Sequence, residues 1–269
     1  MADYNFLLNI GDDIINEVTL TRLIQNRRSS ADIYFDFKVG VYTQKFESNL
    51  WEKLDEINFN DNSIVLRSTD YQLLIGQLAV IVACDIGYNL ADTLSELPEP
   101  VSGSSNISLI NFRANISFIK GNSKSSFQGD FPYSMSRLKG SFLAFDALIH
   151  VTNEVIKTKI VFVNIHSVKL DEKKYFTLNM SNSKSKKKLK KAQYVHNSVA
   201  IIDNVSMNDC SLVFYSKDTL GIPIFVSFLE GKGYNMSVEH SHPPSEYFWG
   251  DSKYSGQKLI KSKWLGLLP

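Results

Sequence analysis

The sequence predicts an α+β fold that is mostly antiparallel β-sheet, sandwich or barrel-like, with a smaller mixed α/β N-terminal portion. Three observations lead there. Aromatic residues make up 12% of the 269-residue chain, with 17 Phe and 12 Tyr, and pleated sheet faces accommodate such side chains well. After residue 106, short apolar or alternating runs parted by turn formers recur to the end of the chain, as in sandwiches and barrels. Helix-like apolar spacing is concentrated in the first hundred residues.

Taken in order, Tyr4 to Ile10 reads as a strand, and Asp12 or Asp13 is placed to cap a helix through Ile14, Val18, Leu20, Leu23 and Ile24 to about Arg27. Ile33, Phe35, Phe37, Val39 and Val41 then alternate with Asp32, Tyr34, Asp36 and Lys38, the pattern of a half-buried strand. Ile64 to Arg67 is a shorter strand. From Asp70 to about Ala83 the spacing predicts a buried helix capped by Asp70. The stretch Leu97-Pro-Glu-Pro-Val-Ser-Gly-Ser-Ser105 is the best boundary signal. It divides the chain into an N-terminal α+β subdomain, 1–100, and a β-rich subdomain, 101–269. Strands are expected within 106–120, 159–166, 175–180, 194–202, 211–215, 222–228 and 234–242, with 141–150 apolar and ambiguous. A short amphipathic helix over 256–265 is expected to close the fold.

A hydrophobic fraction of 43% and a charged fraction of 21% are those of an ordinary globular protein. A chain this long can bury a core that needs neither disulfide nor metal. Cys84 and Cys210 stand too far apart in sequence for a metal spacing or redox pair. The longest apolar run, Leu73 to Ala83, is too short to cross a bilayer as a helix, and no secretory leader is evident. These features point to a cytoplasmic protein without membrane insertion.

The net charge is +1, and six lysines fall between Lys184 and Lys191, so removing those six leaves the other residues at −5. Lys184, Lys186, Lys187, Lys188, Lys190 and Lys191 are expected in a solvated connection between strands, where they could hold a polyanion. They are not interleaved with arginine or aromatic residues, so base stacking and guanine-specific contacts are not implied. Nucleic acid is therefore a disfavoured partner, and binding through this run would be non-specific.

Near the C-terminus, Gly233-Tyr-Asn-Met-Ser-Val-Glu-His-Ser-His-Pro-Pro-Ser-Glu246 carries the sharpest motif. In an extended segment His240 and His242 share a face, about 6–7 Å apart at their bases, and can converge on one ion. Pro243 and Pro244 end the strand, and Glu246 could return a carboxylate as third ligand. The pattern His240-x-His242-x-x-x-Glu246, with Gly233 upstream, resembles the first metal-binding motif of cupins over about fourteen residues. The resemblance implies a divalent metal cofactor and one more histidine. No histidine follows His242, so that ligand would come from upstream, for instance His166 or His196.

Between Lys120 and Gly140 a long polar loop is punctuated by Phe127, Phe131 and Tyr133, which marks it as ordered. Asp130, Arg137 and Lys139 could line a pocket for an anionic or sugar-like ligand. The chain contains no P-loop, Gly-x-Ser-x-Gly elbow, His-Glu-x-x-His helix or Gly-rich dinucleotide fingerprint. The leading expectation is a ligand- or partner-binding or assembly protein. A metal-dependent enzyme built on His240 and His242 is the competing one, and a nucleic-acid-associated factor using the lysines is the third.

Overall fold

The computed structural model describes residues 3–21, 24–25, 33–34, 37–45, 48–58, 63–100, 114–129, 131–137, 140–145, 155–170, 175–182, 185–205, 212–229, 236–240, 263 and 265–268. The strands are β1 (Asp3–Leu8), β2 (Ile15–Thr21), β3 (Ile24–Gln25), β4 (Ile33–Tyr34), β5 (Phe37–Gln44), β6 (Trp51–Asn58), β7 (Ser63–Arg67), β8 (Leu78–Asp85) and β9 (Thr93–Leu94). After them come β10 (Ala114–Lys120), β11 (Ser123–Gly129), β12 (Phe131–Pro132), helix α1 (Tyr133–Ser136), β13 (Phe142–Phe145), β14 (Val155–Val163) and β15 (Tyr175–Asn182). The last are β16 (Lys188–Val195), β17 (Val199–Val205), β18 (Leu212–Ser216), β19 (Ile222–Leu229) and β20 (Met236–His240). Beyond α1, the helical residues described are 263 and 265–267.

The described residues are therefore nearly all β, and the α+β expectation is corrected. The described part of the mixed N-terminal portion, 1–100, is strand and turn. Where a helix was expected from Asp12 or Asp13, Gly11, Asp12 and Asp13 have φ of 73°, 58° and 54°. That is left-handed turn geometry, which cannot start a right-handed helix. The chain continues as β2, rich in β-branched residues, and Asn16 fixes it there. Asn16 Oδ1 accepts from Leu8 N, its own N donates to Ser68 Oγ, and its Nδ2 donates to Ser117 O. The helix expected from Asp70 to Ala83 is likewise a turn followed by β8. Gln72 and Gly76 take φ of 49° and 83°, and Asn9 clasps the turn by donating to Leu73 O and accepting from Gly76 N. The apolar run then enters a central strand buried on both faces, which periodicity cannot distinguish from a buried helix.

Two compact units are formed. The first comprises residues 1–119, 126–136 and 167–172, and the second comprises 120–125, 137–166 and 173–269. The first unit holds a six-stranded sheet ordered β12-β1-β8-β5-β6-β9 and most of a four-stranded sheet ordered β11-β10-β2-β7. β5 lies between β6 and β8 and is buried on both faces, rather than half-buried, and even Lys38 is only 9% exposed. Leu54 is skipped in the register between β5 and β6, a bulge that leaves its side chain in solvent. The expected polar loop at 120–140 is instead mainly a hairpin. Gly121, at φ 55°, occupies the place a two-residue type II′ turn reserves for glycine, and Phe127 stacks on Phe118 at 6.4 Å.

The second unit contains two four-stranded sheets, ordered β13-β18-β15-β16 and β17-β14-β19-β20, with antiparallel pairing throughout. Phe142, Phe176, Leu178, Leu212 and Phe214 of one meet Ile160, Phe162, Ala200, Ile202 and Phe225 of the other in a single core. Phe162 sits at its centre, 4.4 Å from Phe142, 5.6 Å from Phe176 and 6.0 Å from Phe214 between ring centroids. Such pairs add about 0.5–1.5 kcal/mol each beyond burial. The unit is a β-sandwich. On the outer side of the first sheet, Leu265 and Leu268 pack on Leu143, Val213 and Tyr215. Lys217 Nζ fastens that C-terminal turn by donating to Leu268 O at 2.8 Å. Residues 256–262 of the expected closing helix lie outside the described residues.

Candidate functional site

The register of the second sandwich sheet places several strand ends together. Val163, the last residue of β14, pairs with Val199 at the start of β17 and with Ile222 at the start of β19. β20 runs toward the same end, with His240 opposite Ile224. Three connections meet there: Asn164-Ile-His166 after β14, the turn His196-Asn-Ser198 between β16 and β17, and the 217–221 link from β18 to β19.

Asn164 ties them to one another. Its Nδ2 donates to Thr219 Oγ1 and to Leu220 O, both at 2.9 Å. Its Oδ1 accepts from Asn197 N at 3.3 Å and lies 2.9 Å from His196 Nδ1. A backbone carbonyl can only accept and a backbone N–H can only donate, so these partners fix which way the amide faces. His196 must then present an N–H at Nδ1, and in the neutral ring the lone pair resides on Nε2. Asn197 holds the turn at φ 58° and accepts from His166 N through Oδ1, a turn geometry to which asparagine is suited. The rings of His166 and His196 come to 5.7 Å between centroids at 49°, and Phe176 and His196 meet edge-to-face with centroids 5.2 Å apart. Both histidines are half-buried. Beside them, Asp218 accepts from Ser216 Oγ at 2.5 Å and from Thr177 N at 3.3 Å, closing the neighbouring strand ends.

Of the residues expected to hold metal, His240 ends β20, so the segment is extended there as its spacing requires. His242 and Glu246 lie outside the described residues. Sequence reasoning offered His166 and His196 as alternative ligands, and the structure instead brings the two together. It did not anticipate Asn164 or Asn197. The available signal was that each stands within two residues of a histidine at a strand end. Among the described residues, no three His, Cys, Asp or Glu side chains come together as a metal-holding group.

For the expected ligand pocket, Arg137 is exposed in a turn after α1, while Asp130 and Lys139 lie outside the described residues. The lysine run is a tight turn and a strand rather than a loose connection. Asn182 organises the turn, its carbonyl accepting from Lys186 N and its Oδ1 from Ser185 N. Lys186 is half-buried, Lys187 is exposed, and Lys188, Lys190 and Lys191 are exposed on β16, which among the described residues is an edge strand of its sheet. Lys188, Lys190 and Lys191 stand opposite Ser181, Met180 and Asn179, so pairing to β15 fixes their spacing. Lys184 lies outside the described residues.

A different charged group occupies the first unit. Glu56 accepts from Lys38 at 2.9 Å and from Lys53 at 3.1 Å, and Lys53 also reaches Asp92 at 3.0 Å and Leu90 O at 2.7 Å. These bonds hold the loop before β9 against β6. The Lys38 hydrogen bond foremost, then that from Lys53, lowers the Glu56 pKa below its usual 4.5. Hydrogen bonds to Asp92 and Glu56 raise that of Lys53. Its partners are satisfied within the fold, which makes it a structural clasp.

No known protein family, curated protein or solved structure matches this chain. Among the described residues, no helix is long and apolar enough to cross a membrane.

Proposed function

We propose that this chain is a partner-binding or assembly protein and that β16 of the sandwich is its recognition edge, taking up an extended acidic segment of a protein partner. One observation carries the reading. Lys188, Lys190 and Lys191 project from an edge strand at spacings set by the β15 pairing, with Leu189 exposed among them. An edge strand offers backbone donors and acceptors to an added strand, and side chains then select which strand is taken. Two copies of this edge repel one another, which discourages self-pairing. A strand of opposite sign is attracted instead.

The test is fluorescence anisotropy with an acidic peptide of alternating Glu and Val and, separately, a single-stranded oligonucleotide. The peptide is expected to bind at low salt, and Lys188→Glu with Lys190→Glu to abolish binding while the far-UV spectrum is retained. Absence of peptide binding at low salt, or equal binding by the double variant, overturns the reading. Oligonucleotide binding that exceeds peptide binding would replace the protein partner with a nucleic acid.

A further inference from the structure

The two histidines at the end of the sandwich are independent of the lysine edge and have a chemistry of their own. A zinc-bound imidazole nitrogen lies about 2.0–2.1 Å from the ion. With about 1.2 Å from nitrogen to ring centre, each centroid of a ligating pair stands about 3.2 Å from the metal. At a tetrahedral angle the two centroids are then about 5.2 Å apart, rising to about 6.4 Å as the angle opens. The His166 and His196 centroids, 5.7 Å apart, fall between these limits, and their 49° tilt differs from the parallel arrangement of stacked rings.

The support behind His196 points the same way. Metal-ligating histidines characteristically donate their other ring N–H to a carboxylate or carbonyl oxygen, which fixes tautomer and ring orientation. Asn164 Oδ1 provides such an acceptor for Nδ1, and its own amide is locked by Thr219, Leu220 and Asn197. Phe176 packs edge-to-face with the ring and restricts its rotation. These bonds hold the half-buried His196 ring in one orientation.

We propose that His166 and His196 together bind a first-row divalent transition metal, zinc foremost, through Nε2 of His196 and a ring nitrogen of His166, with water completing the coordination. Two protein ligands hold the ion more weakly than the four of a structural site and leave positions open to an incoming donor. Asn164 acts as the positioning residue.

Isothermal titration of the untagged full chain with Zn2+, and separately with Ni2+, tests the proposal. One ion per chain is expected, with affinity weakened roughly tenfold or more by either His166→Gln or His196→Gln, and by Asn164→Ala to a comparable or smaller degree. A second measurement needs no variant. Long-range proton–nitrogen NMR of the histidine rings should show the His196 Nε2 resonance moving on addition of Zn2+ while Nδ1 keeps its proton. A chain with both His240→Ala and His242→Ala should bind zinc with unchanged affinity. The proposal is overturned if zinc does not saturate a site at millimolar concentration, or if both single glutamine variants bind as tightly as the parent. It also fails if binding disappears only in the His240 and His242 variant.

Discussion

Asn164 makes four polar contacts from a position that is 3% exposed. Asn164→Ala removes at once a donor to the Thr219 hydroxyl and the Leu220 carbonyl, which keep their 3.3 Å bond to each other, and an acceptor for the Asn197 N–H and the His196 Nδ1–H. Leaving buried polar groups without partners costs about 1–3 kcal/mol apiece, and partial rehydration brings the expected loss to about 2–4 kcal/mol in all. Urea unfolding should show it as a lower midpoint at an unchanged slope. Cys84 illustrates a different consequence of burial. Desolvation foremost, then the charge of Asp85, pushes its thiol pKa up to about 12. The thiolate is the reactive form, so in a Cys210→Ser chain at pH 8 a thiol reagent should modify Cys84 only as fast as the protein unfolds. Rapid labelling of the native chain would contradict that.

At the scale of elements, Gly221 and Glu56 each make a prediction. A Cβ on Gly221 would lie 2.5 Å from Val163 O and nearer still to the Phe162 ring. Backbone cannot yield as a flexible side-chain tip can, so Gly221→Ala should destabilise the sandwich by about 1–3 kcal/mol, read by thermal unfolding. Glu56 bridges β5 and β6 through Lys38 and Lys53, and its folded pKa is depressed. Its contribution is thus present above its usual 4.5 and is lost as pH falls through the lower folded value. Glu56→Gln should flatten the acid limb of the stability profile below pH 4.5, and a parallel profile would show that the clasp contributes nothing.

Strands of the second unit such as Tyr175–Asn182, Leu212–Ser216 and Ile222–Leu229 were legible in the sequence because β-branched or aromatic runs end there at turn formers. The single strand expected over 194–202, however, is the end of β16, a turn at 196–198 and the start of β17. The supposed helices at 14–27 and 70–83 misled for a common reason. A strand buried on both faces lacks alternation, and the decisive left-handed residues Asp12, Asp13 and Gln72 resemble caps and helix formers in one dimension. The lysine run was readable as basic and exposed, but its assignment to an edge strand depends on partners that only tertiary pairing supplies. The His166 and His196 contact is of the same kind: thirty residues apart in sequence, they meet because β14 and β17 are neighbours.

For the molecule as a whole, the pairings are predominantly distant in sequence. β1 pairs with β8 and β12, and β14 pairs with β17 and β19. Loops must close before such contacts stabilise anything, so refolding after dilution from denaturant should take milliseconds to seconds or longer. A microsecond phase carrying the full amplitude would contradict the topology. The chain also passes between its two units repeatedly, at 119/120, 125/126, 136/137, 166/167 and 172/173. No single cleavage therefore releases either unit intact. A fragment starting at residue 173 would lack β14, the strand that joins β17 to β19, so truncation mapping would report collapse of the sandwich instead of the location of any activity.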